Sequence, residues 1–320
     1  MKKLMFAIAA VAAGTVLADV TSANIVGYAT RTTPQGAFRM ISVPWNTVAG
    51  DTACINDVFP CTSAGVLDWT KSRATQILAP VTATSPQIQI QIVSSDPTKD
   101  GTYETYYYVT NAKVAEGPDK QHPVTEAGWC NANGYKADPK LLANLNGVVT
   151  PGVSIWFKDP EHEVPSVTEN GEVPTKKVTV DCAGAGAFRL RAPAFPKATC
   201  INDLVFEGLD GSGVLDWTKS RATQILAPVT GTAPQIQIQI ISDDPTKDGT
   251  YETYYYVSNA KVADGPDRSH PVTEMGWCNA NGYKADPAIV ANLNGTIPVT
   301  GAFWVKSGPT GEAFTITFNP

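Results

Sequence analysis

An internal repeat constrains this chain more than any other sequence feature. Residues Val66–Gly147 recur as Val214–Gly295 without a gap, at a constant offset of 148, and only 12 of the 82 positions differ. Short solenoid repeats have periods of about 20–50 residues, so a period this long indicates two copies of a whole domain. A site within the repeat is therefore expected twice.

The similarity continues outside the gapless block. Gly36–Arg39 matches Gly186–Arg189, and Cys54–Asp57 matches Cys200–Asp203, at slightly shifted offsets. Each repeat unit is therefore about 130 residues long, which is an ordinary size for a domain with its own core.

These matches predict two tandem domains, 24–158 and 176–320. The segment between them, 159–175, has no counterpart in the second copy and contains three prolines and five acidic residues. Such a composition is typical of an extended linker.

The first 18 residues have the features of a secretory signal peptide. Lys2 and Lys3 precede an apolar run that ends in the small-residue cleavage site Val16–Ala18. An uncleaved anchor helix is the alternative, although the run is short for a membrane span. The sequence predicts export to the periplasm, cell surface or extracellular space. No later stretch predicts a membrane helix. The formal net charge of −6 becomes −8 after cleavage, which argues against nucleic acid as a partner.

A β-hairpin is predicted in each copy. Gln87–Ile92 alternates glutamine with isoleucine, the pattern of a half-buried strand. Asp96–Gly101 is rich in turn residues, and Tyr103–Val109 is rich in β-formers. The same hairpin is expected at Gln235–Val257.

The whole chain is predicted to be all-β, with a β-sandwich or open barrel in each repeat. Short strands separated by glycine and proline favour this class. A strand pair is expected at Val66–Trp69 and Thr75–Leu78, and short helices at Thr52–Phe59 and Pro139–Leu145.

Six cysteines in an exported chain predict disulfide bonds. Matched cysteines in two like folds should pair alike, which gives Cys54–Cys130 and Cys200–Cys278, with Cys61–Cys182 between the domains. A rival scheme joins Cys54 to Cys61 and Cys182 to Cys200. Free buried thiols are the third possibility.

Aromatic side chains form a candidate ligand site, because their faces stack on sugars and their polar edges bond hydroxyls. The candidates are Trp69, Tyr106, Tyr108 and Trp129, and their counterparts Trp217, Tyr254, Tyr256 and Trp277. Successive strand residues face opposite ways, so about half of the tyrosines are expected in the core. A glycan or a protein surface is the partner that this site would bind.

Calcium is the one cofactor that the sequence raises. Oxygen ligands with the spacing of a calcium loop are Asp96, Thr98 and Asp100, and Asp244, Thr246 and Asp248. However, Lys99 lies inside the first loop, and Tyr107 occupies its twelfth position instead of glutamate. A plain Asp-Gly turn explains the residues better, and we expect weak or no calcium binding.

A resemblance to known proteins rests on several short motifs. They are Ser22–Tyr28 (SANIVGY), Asn56–Phe59, Val66–Trp69, Gly128–Trp129 and the closing Phe303–Val305 and Phe314–Phe318. The chain is similar to a group of uncharacterised secreted bacterial β-domain proteins that begin with a SANIVGY-type stretch. The resemblance implies an exported β-domain protein and supplies no catalytic residues.

The function expected from these observations is that of a non-enzymatic structural or attachment protein outside the cell. No nucleophile, metalloprotease or nucleotide-binding motif occurs, and His122 and His270 lie in loop-like sequence. A bivalent carbohydrate-binding protein is the first alternative, because two like sites raise avidity. An enzyme of unrecognised type is the second.

Overall fold

The structure is a computed structural model of the 320-residue chain. It describes residues 26–46, 53–59, 69–71, 78–80, 85–109, 112–114, 126–140, 146–160, 166–209, 217–219, 226–228, 233–258, 260–262, 274–288, 295–308 and 311–320. The predicted signal peptide lies outside these residues.

Nine strands and one short helix occur in the first half of the described chain. The strands are β1 (Val26–Thr32), β2 (Arg39–Ser42), β3 (Trp69–Lys71), β4 (Leu78–Pro80), β5 (Gln87–Gln91), β6 (Tyr103–Val109), β7 (Gly128–Cys130), β8 (Ser154–Lys158) and β9 (Ser166–Glu172). The helix α1 spans Ile55–Val58, within the predicted segment. The described part of the second predicted helix, Pro139 and Lys140, is a turn.

Twelve strands follow in the second half. They are β10 (Val178–Cys182), β11 (Arg189–Arg191), β12 (Thr199–Cys200), β13 (Val205–Glu207), β14 (Trp217–Lys219), β15 (Leu226–Pro228), β16 (Gln235–Gln239), β17 (Tyr251–Val257), β18 (Gly276–Cys278), β19 (Thr296–Ile297), β20 (Phe303–Lys306) and β21 (Phe314–Phe318). A single 3-10 turn covers Ile201–Asp203, where the first half has α1. The described chain is therefore all-β, as predicted.

Two five-stranded antiparallel sheets have the same strand order. One runs β2-β8-β5-β6-β7 and the other β11-β20-β16-β17-β18. Their registers also match, since Ile88 lies opposite Tyr106 and Phe157 while Ile236 lies opposite Tyr254 and Val305. The predicted hairpin is confirmed as β5–β6 and β16–β17. The predicted early strand pair is also present as β3–β4, shifted towards the C terminus by two to three residues.

Each sheet buries its isoleucine face. Ile88, Ile90 and Trp129 pack with α1 in one core, and Ile236, Ile238 and their neighbours pack in a second. Glutamine alternates with isoleucine, so the two residue types lie on opposite faces of the sheet. The core face is thus set by the period of two in the sequence.

Smaller sheets pack on these cores. β1 pairs with β9, and β21 pairs with both β10 and β13. A hydroxyl pair marks the equivalence, because Thr30–Thr168 and Thr179–Thr317 both have Oγ1 atoms 2.9 Å apart. β9 therefore occupies the place in the first half that β21 has in the second. Residues 166–172 of the predicted linker are thus a paired strand.

The predicted disulfides Cys54–Cys130 and Cys200–Cys278 are not formed, because both pairs are free buried thiols. Cys54 lies in the first core with Trp129. Cys130 follows Trp129 on β7 and so points to the opposite face of the sheet, where it packs on Val109. The two sulfurs are therefore on different sides of one sheet.

The other predicted bridges are absent for a related reason. Cys182 is also a free thiol and packs in the second core, so neither Cys61–Cys182 nor Cys182–Cys200 is formed. Because Cys54 is free, Cys54–Cys61 is not formed either. Cys61 itself lies outside the described residues.

Candidate functional site at the junction of the two repeats

The predicted aromatic ligand site is largely core. Tyr106, Trp129 and Tyr254 are fully buried, and Trp277 is 1 % exposed. The Tyr106 hydroxyl accepts from the Gly147 amide at 2.8 Å and donates to a glutamate, so burial and these bonds occupy its polar edge. These four side chains therefore offer no face to a ligand.

The other four predicted aromatics do not restore an exposed platform. Tyr108 and Tyr256 are partly buried and pack against the core tryptophans Trp129 and Trp277, with ring centroids 5.4 and 5.2 Å apart and ring planes inclined by 68° and 56°. Trp69 and Trp217 lie on β3 and β14, but their side chains are outside the described part of the structure. Neither tryptophan is therefore assigned to the site.

The first half of each predicted calcium loop is a local turn. Asp96 Oδ1 accepts from the Thr98 amide at 3.0 Å and from the Thr98 hydroxyl at 2.7 Å. Asp244 and Thr246 repeat this arrangement at 2.9 and 2.7 Å. Each threonine hydroxyl is thus a donor to its own aspartate. These bonds also lower the pKa of Asp96, chiefly through the Thr98 side chain.

The second half of each loop reaches across to the other repeat. Asp248 Oδ2 accepts from Arg39 Nη2 at 2.5 Å and Nε at 3.2 Å, and Asp100 Oδ2 accepts from Arg189 Nη2. Arg39 and Arg189 are equivalent in the two copies, as are Asp100 and Asp248. The two ion pairs are therefore reciprocal.

Metal binding would compete with these ion pairs. The remaining oxygens of Asp100 and Asp248 accept from the backbone amides of Ser94 and Ser242, at 3.0 and 3.2 Å. The described residues contain no group of three or more His, Cys, Asp or Glu side chains able to hold a metal ion. The carboxylates of Asp100 and Asp248 thus serve as acceptors between the repeats.

Glutamines at the ends of β5 and β16 add a second reciprocal contact. Gln91 Oε1 accepts from the Leu190 amide at 3.0 Å, and Gln239 Oε1 accepts from the Met40 amide at 2.8 Å. Gln91 also donates to the Phe188 carbonyl at 3.3 Å. The glutamine face of each hairpin thus bonds the first strand of the opposite sheet.

A row of aromatic rings crosses the same junction. Phe38, Trp156, Trp304 and Phe188 follow one another with ring centroids 6.3, 6.0 and 6.0 Å apart. The rings are inclined to their neighbours by 52–78°: the two outer contacts are edge to face, and the central contact of Trp156 with Trp304 is tilted. Such inclined rings form a packed contact and not a flat platform for a sugar.

Lysines close both ends of this row. Lys158 Nζ lies 5.2 Å from the centre of the Phe38 ring, and Lys306 Nζ lies 4.7 Å from that of Phe188. Cations over aromatic faces are attracted by the ring quadrupole. We name the ion pairs, glutamine bonds and aromatic row together the junction.

The sequence shows the residues of the junction but not their contacts. The matched Gly-Ala-Phe-Arg segments contain Phe38, Arg39, Phe188 and Arg189, and the glutamine face was visible as an alternation. The presence of these segments in both repeats indicates that the two copies keep the same polar groups. It does not indicate that each copy's groups bond the other copy.

Comparison with protein-family models, with curated proteins and with solved structures finds no match. Within the described residues, no helix is long and apolar enough to cross a membrane.

Proposed function

We propose that this chain is a secreted structural or attachment protein in which two tandem β-domains are joined into one stiff unit. The observation that carries the proposal is the reciprocal junction. Charged, polar and aromatic groups of one repeat contact those of the other, and the aromatic residues predicted to bind a ligand lie mainly in the cores.

In this proposal each domain is a β-sandwich with its own core. The first comprises residues 26–172, in which Val167 of β9 packs with Ile88 and Ile155 of the large sheet. The second comprises 178–320, in which Ile316 of β21 packs with Ile236. The linker is then the short stretch between β9 and β10, which leaves little freedom between the domains.

The proposal that the protein is exported rests on the predicted signal peptide, and export suits a structural role outside the cell. The net negative charge favours solubility and argues against nucleic acid as a partner, and the proposal of a non-enzymatic protein rests on a sequence without a recognised catalytic motif. Bivalent carbohydrate binding would now depend on residues other than the four buried aromatics.

Cell fractionation with an antibody against the chain tests the proposal. We expect the protein in the periplasm, at the cell surface or in the medium, with residues 1–18 absent by N-terminal sequencing. Cells lacking the gene should show weaker surface adhesion or an altered envelope. A cytoplasmic, uncleaved protein would refute the proposal.

Stiffness has its own measurement. Small-angle scattering of the purified chain should fit the two sheets in one fixed arrangement, without an ensemble of separated domains. A variant that carries both Arg39→Gln and Arg189→Gln should lose this fit, while Lys99→Gln on the loop surface should keep it. Equal scattering of all three proteins would contradict the stiff unit.

A further inference from the structure

A cleft of about 580 Å³ lies beside the junction. Arg31, Thr33 and Arg39 line it from the first repeat, while Ser242 and Asp243 line it from the turn between β16 and β17. The cleft therefore combines groups from both copies. Its volume is in the range of small-molecule sites.

Arg31 has unused hydrogen-bonding capacity in this cleft. The residue is 6 % exposed, and its Nη1 donates to the carbonyls of Met40 and Thr300. Its buried Nε has no partner, and the hydrogen bonds that Arg31 makes with described residues use Nη1 and not Nη2. Thr33 Oγ1, also buried at the cleft, has no partner either.

The free edge of Arg31 has a specific chemical preference. Nε and Nη2 of a guanidinium present two parallel N–H groups, which match two oxygens of a carboxylate or phosphate. In the same region Arg39 uses this edge to bind Asp248. Among the described residues, no carboxylate is bound to this edge of Arg31.

The charge around Arg31 is also unbalanced. The charged groups that act on it are Arg39, Asp248 and Glu169. Asp248 is bound to Arg39, and burial raises the pKa of Glu169 to about 8, which weakens this carboxyl as a counter-charge at neutral pH. A buried cation with a weak counter-charge costs free energy that a bound anion would recover.

We propose that this cleft binds a small polar molecule through a carboxylate or phosphate group held by the free edge of Arg31. Thr33 and Ser242 are positioned to bond the other polar atoms of the ligand. Asp243 at the rim favours ligands with hydroxyl donors and opposes extra negative charge.

The repeat supplies a natural comparison. The matched hydroxyl pairs place Arg31 at the position of Val180 and the gapless block places Asp243 at the position of Ser95. On the other side of the junction Arg191 also has a buried Nε without a partner, but its Nη2 donates to the Asp181 carbonyl, so its edge is occupied, and Ser95 provides no rim carboxylate. The chain is expected to bind one anion and not two.

Calorimetric titration of the full-length exported chain with glucuronate, glucose and inorganic phosphate tests the proposal. Glucuronate or phosphate should bind with a stoichiometry near one, and glucose should bind at least about tenfold more weakly, because it lacks the oxyanion. Preference between the two anions would identify the carboxylate or the phosphate as the natural group. Absence of binding by both anions, or equal binding of glucose, would overturn the proposal.

Variants taken from the repeat itself assign the site. Arg31→Val should abolish binding while circular dichroism stays native. Asp243→Ser, an exposed change, should strengthen anion binding by up to about fivefold by removing a like charge. The mirror variant Ser95→Asp should leave the affinity unchanged. Weaker binding by Asp243→Ser, or a change in Ser95→Asp equal in size to that in Asp243→Ser, would overturn the assignment even if Arg31→Val failed to fold.

Discussion

The Arg39–Asp248 ion pair should contribute measurably to stability, because both partners are nearly buried. Their side chains are 11 % and 12 % exposed, and the shortest nitrogen–oxygen distance is 2.5 Å. Exposed ion pairs contribute about 0–1 kcal/mol, whereas loss of one partner of a buried pair costs about 3–5 kcal/mol. Asp248→Asn keeps the shape and should fall between these limits, at about 2–3 kcal/mol.

A double-mutant cycle separates the pair from other effects of the substitution. The cycle compares Asp248→Asn, Arg39→Gln and the double variant by urea unfolding. We expect a coupling energy of about 1–2 kcal/mol, since contacting residues couple by about 0.5–3 kcal/mol. For a chain of this size, about 1 kcal/mol shifts the melting temperature by roughly 2–4 °C.

The reciprocal pair provides a replicate, and the loop surface provides a control. The cycle with Asp100→Asn and Arg189→Gln should give a coupling energy of the same sign, because Arg189 is 4 % exposed. Asp244→Asn removes a nearby carboxylate that makes only local bonds and should show no coupling with Arg39→Gln. Coupling below about 0.5 kcal/mol in both junction cycles would refute the idea that the ion pairs stabilise the junction.

Three further predictions follow from single positions. Gly249 and Gly101 share a φ of +78°, but an added Cβ would lie 2.8 Å from Arg39 at Gly249 and no closer than 3.5 Å to any atom at Gly101. Gly249→Ala should therefore lower the melting temperature more than Gly101→Ala does. Equal losses in the two variants would contradict this. Burial raises the pKa of Cys130 to about 12, so a thiol reagent at pH 8 should modify it only after unfolding, and rapid reaction of the native protein would count against the buried thiol. Burial raises the pKa of Glu169 to about 8, so the contribution of this carboxyl to stability is complete below the unfolded pKa near 4.5 and is lost as pH rises through 8. Glu169→Gln should therefore flatten the pH–stability curve over this range. An unchanged slope would refute the assignment.

Local patterns were enough to predict the hairpins. The alternation in Gln87–Ile92 and the turn at Asp96–Gly101 act over neighbouring residues, and the structure pairs these strands as expected. Composition misled the interpretation of β9, because its partner β1 is about 140 residues away in the chain. Pairing at such a distance leaves no local pattern, so the composition of Ser166–Glu172 predicts a linker where the structure has a strand.

The cysteine predictions show a second limit. Equivalence of the copies correctly required matched cysteines to behave alike, and the two matched pairs are alike in being free. It did not fix which face of β7 holds Cys130. Successive side chains of a strand point to opposite faces of the sheet, so a shift of one position decides whether two sulfur atoms can meet.

The candidate site was predicted only in part for the same reason. Aromatic type and spacing identified Tyr106 and Trp129, but the face that each occupies depends on the sheet that covers it. The polar groups that do reach outward, Arg39 and Asp100, act on the other copy. A sequence gives no direct sign of a contact between two copies of itself.

The reciprocal pattern has the form of a twofold interface between identical subunits. In such an interface residue i of one subunit contacts residue j of the other, and j contacts i. Arg39 and Asp248 contact each other, and so do their counterparts Arg189 and Asp100. Placing both partners in one chain raises their effective concentration, to about the millimolar range for short linkers. Contacts that are individually modest can then hold the two sheets together.

The link between the two copies in one chain also lets one copy diverge at the edge of the junction, where Asp243 and Arg31 have no like counterpart, while the reciprocal contacts persist.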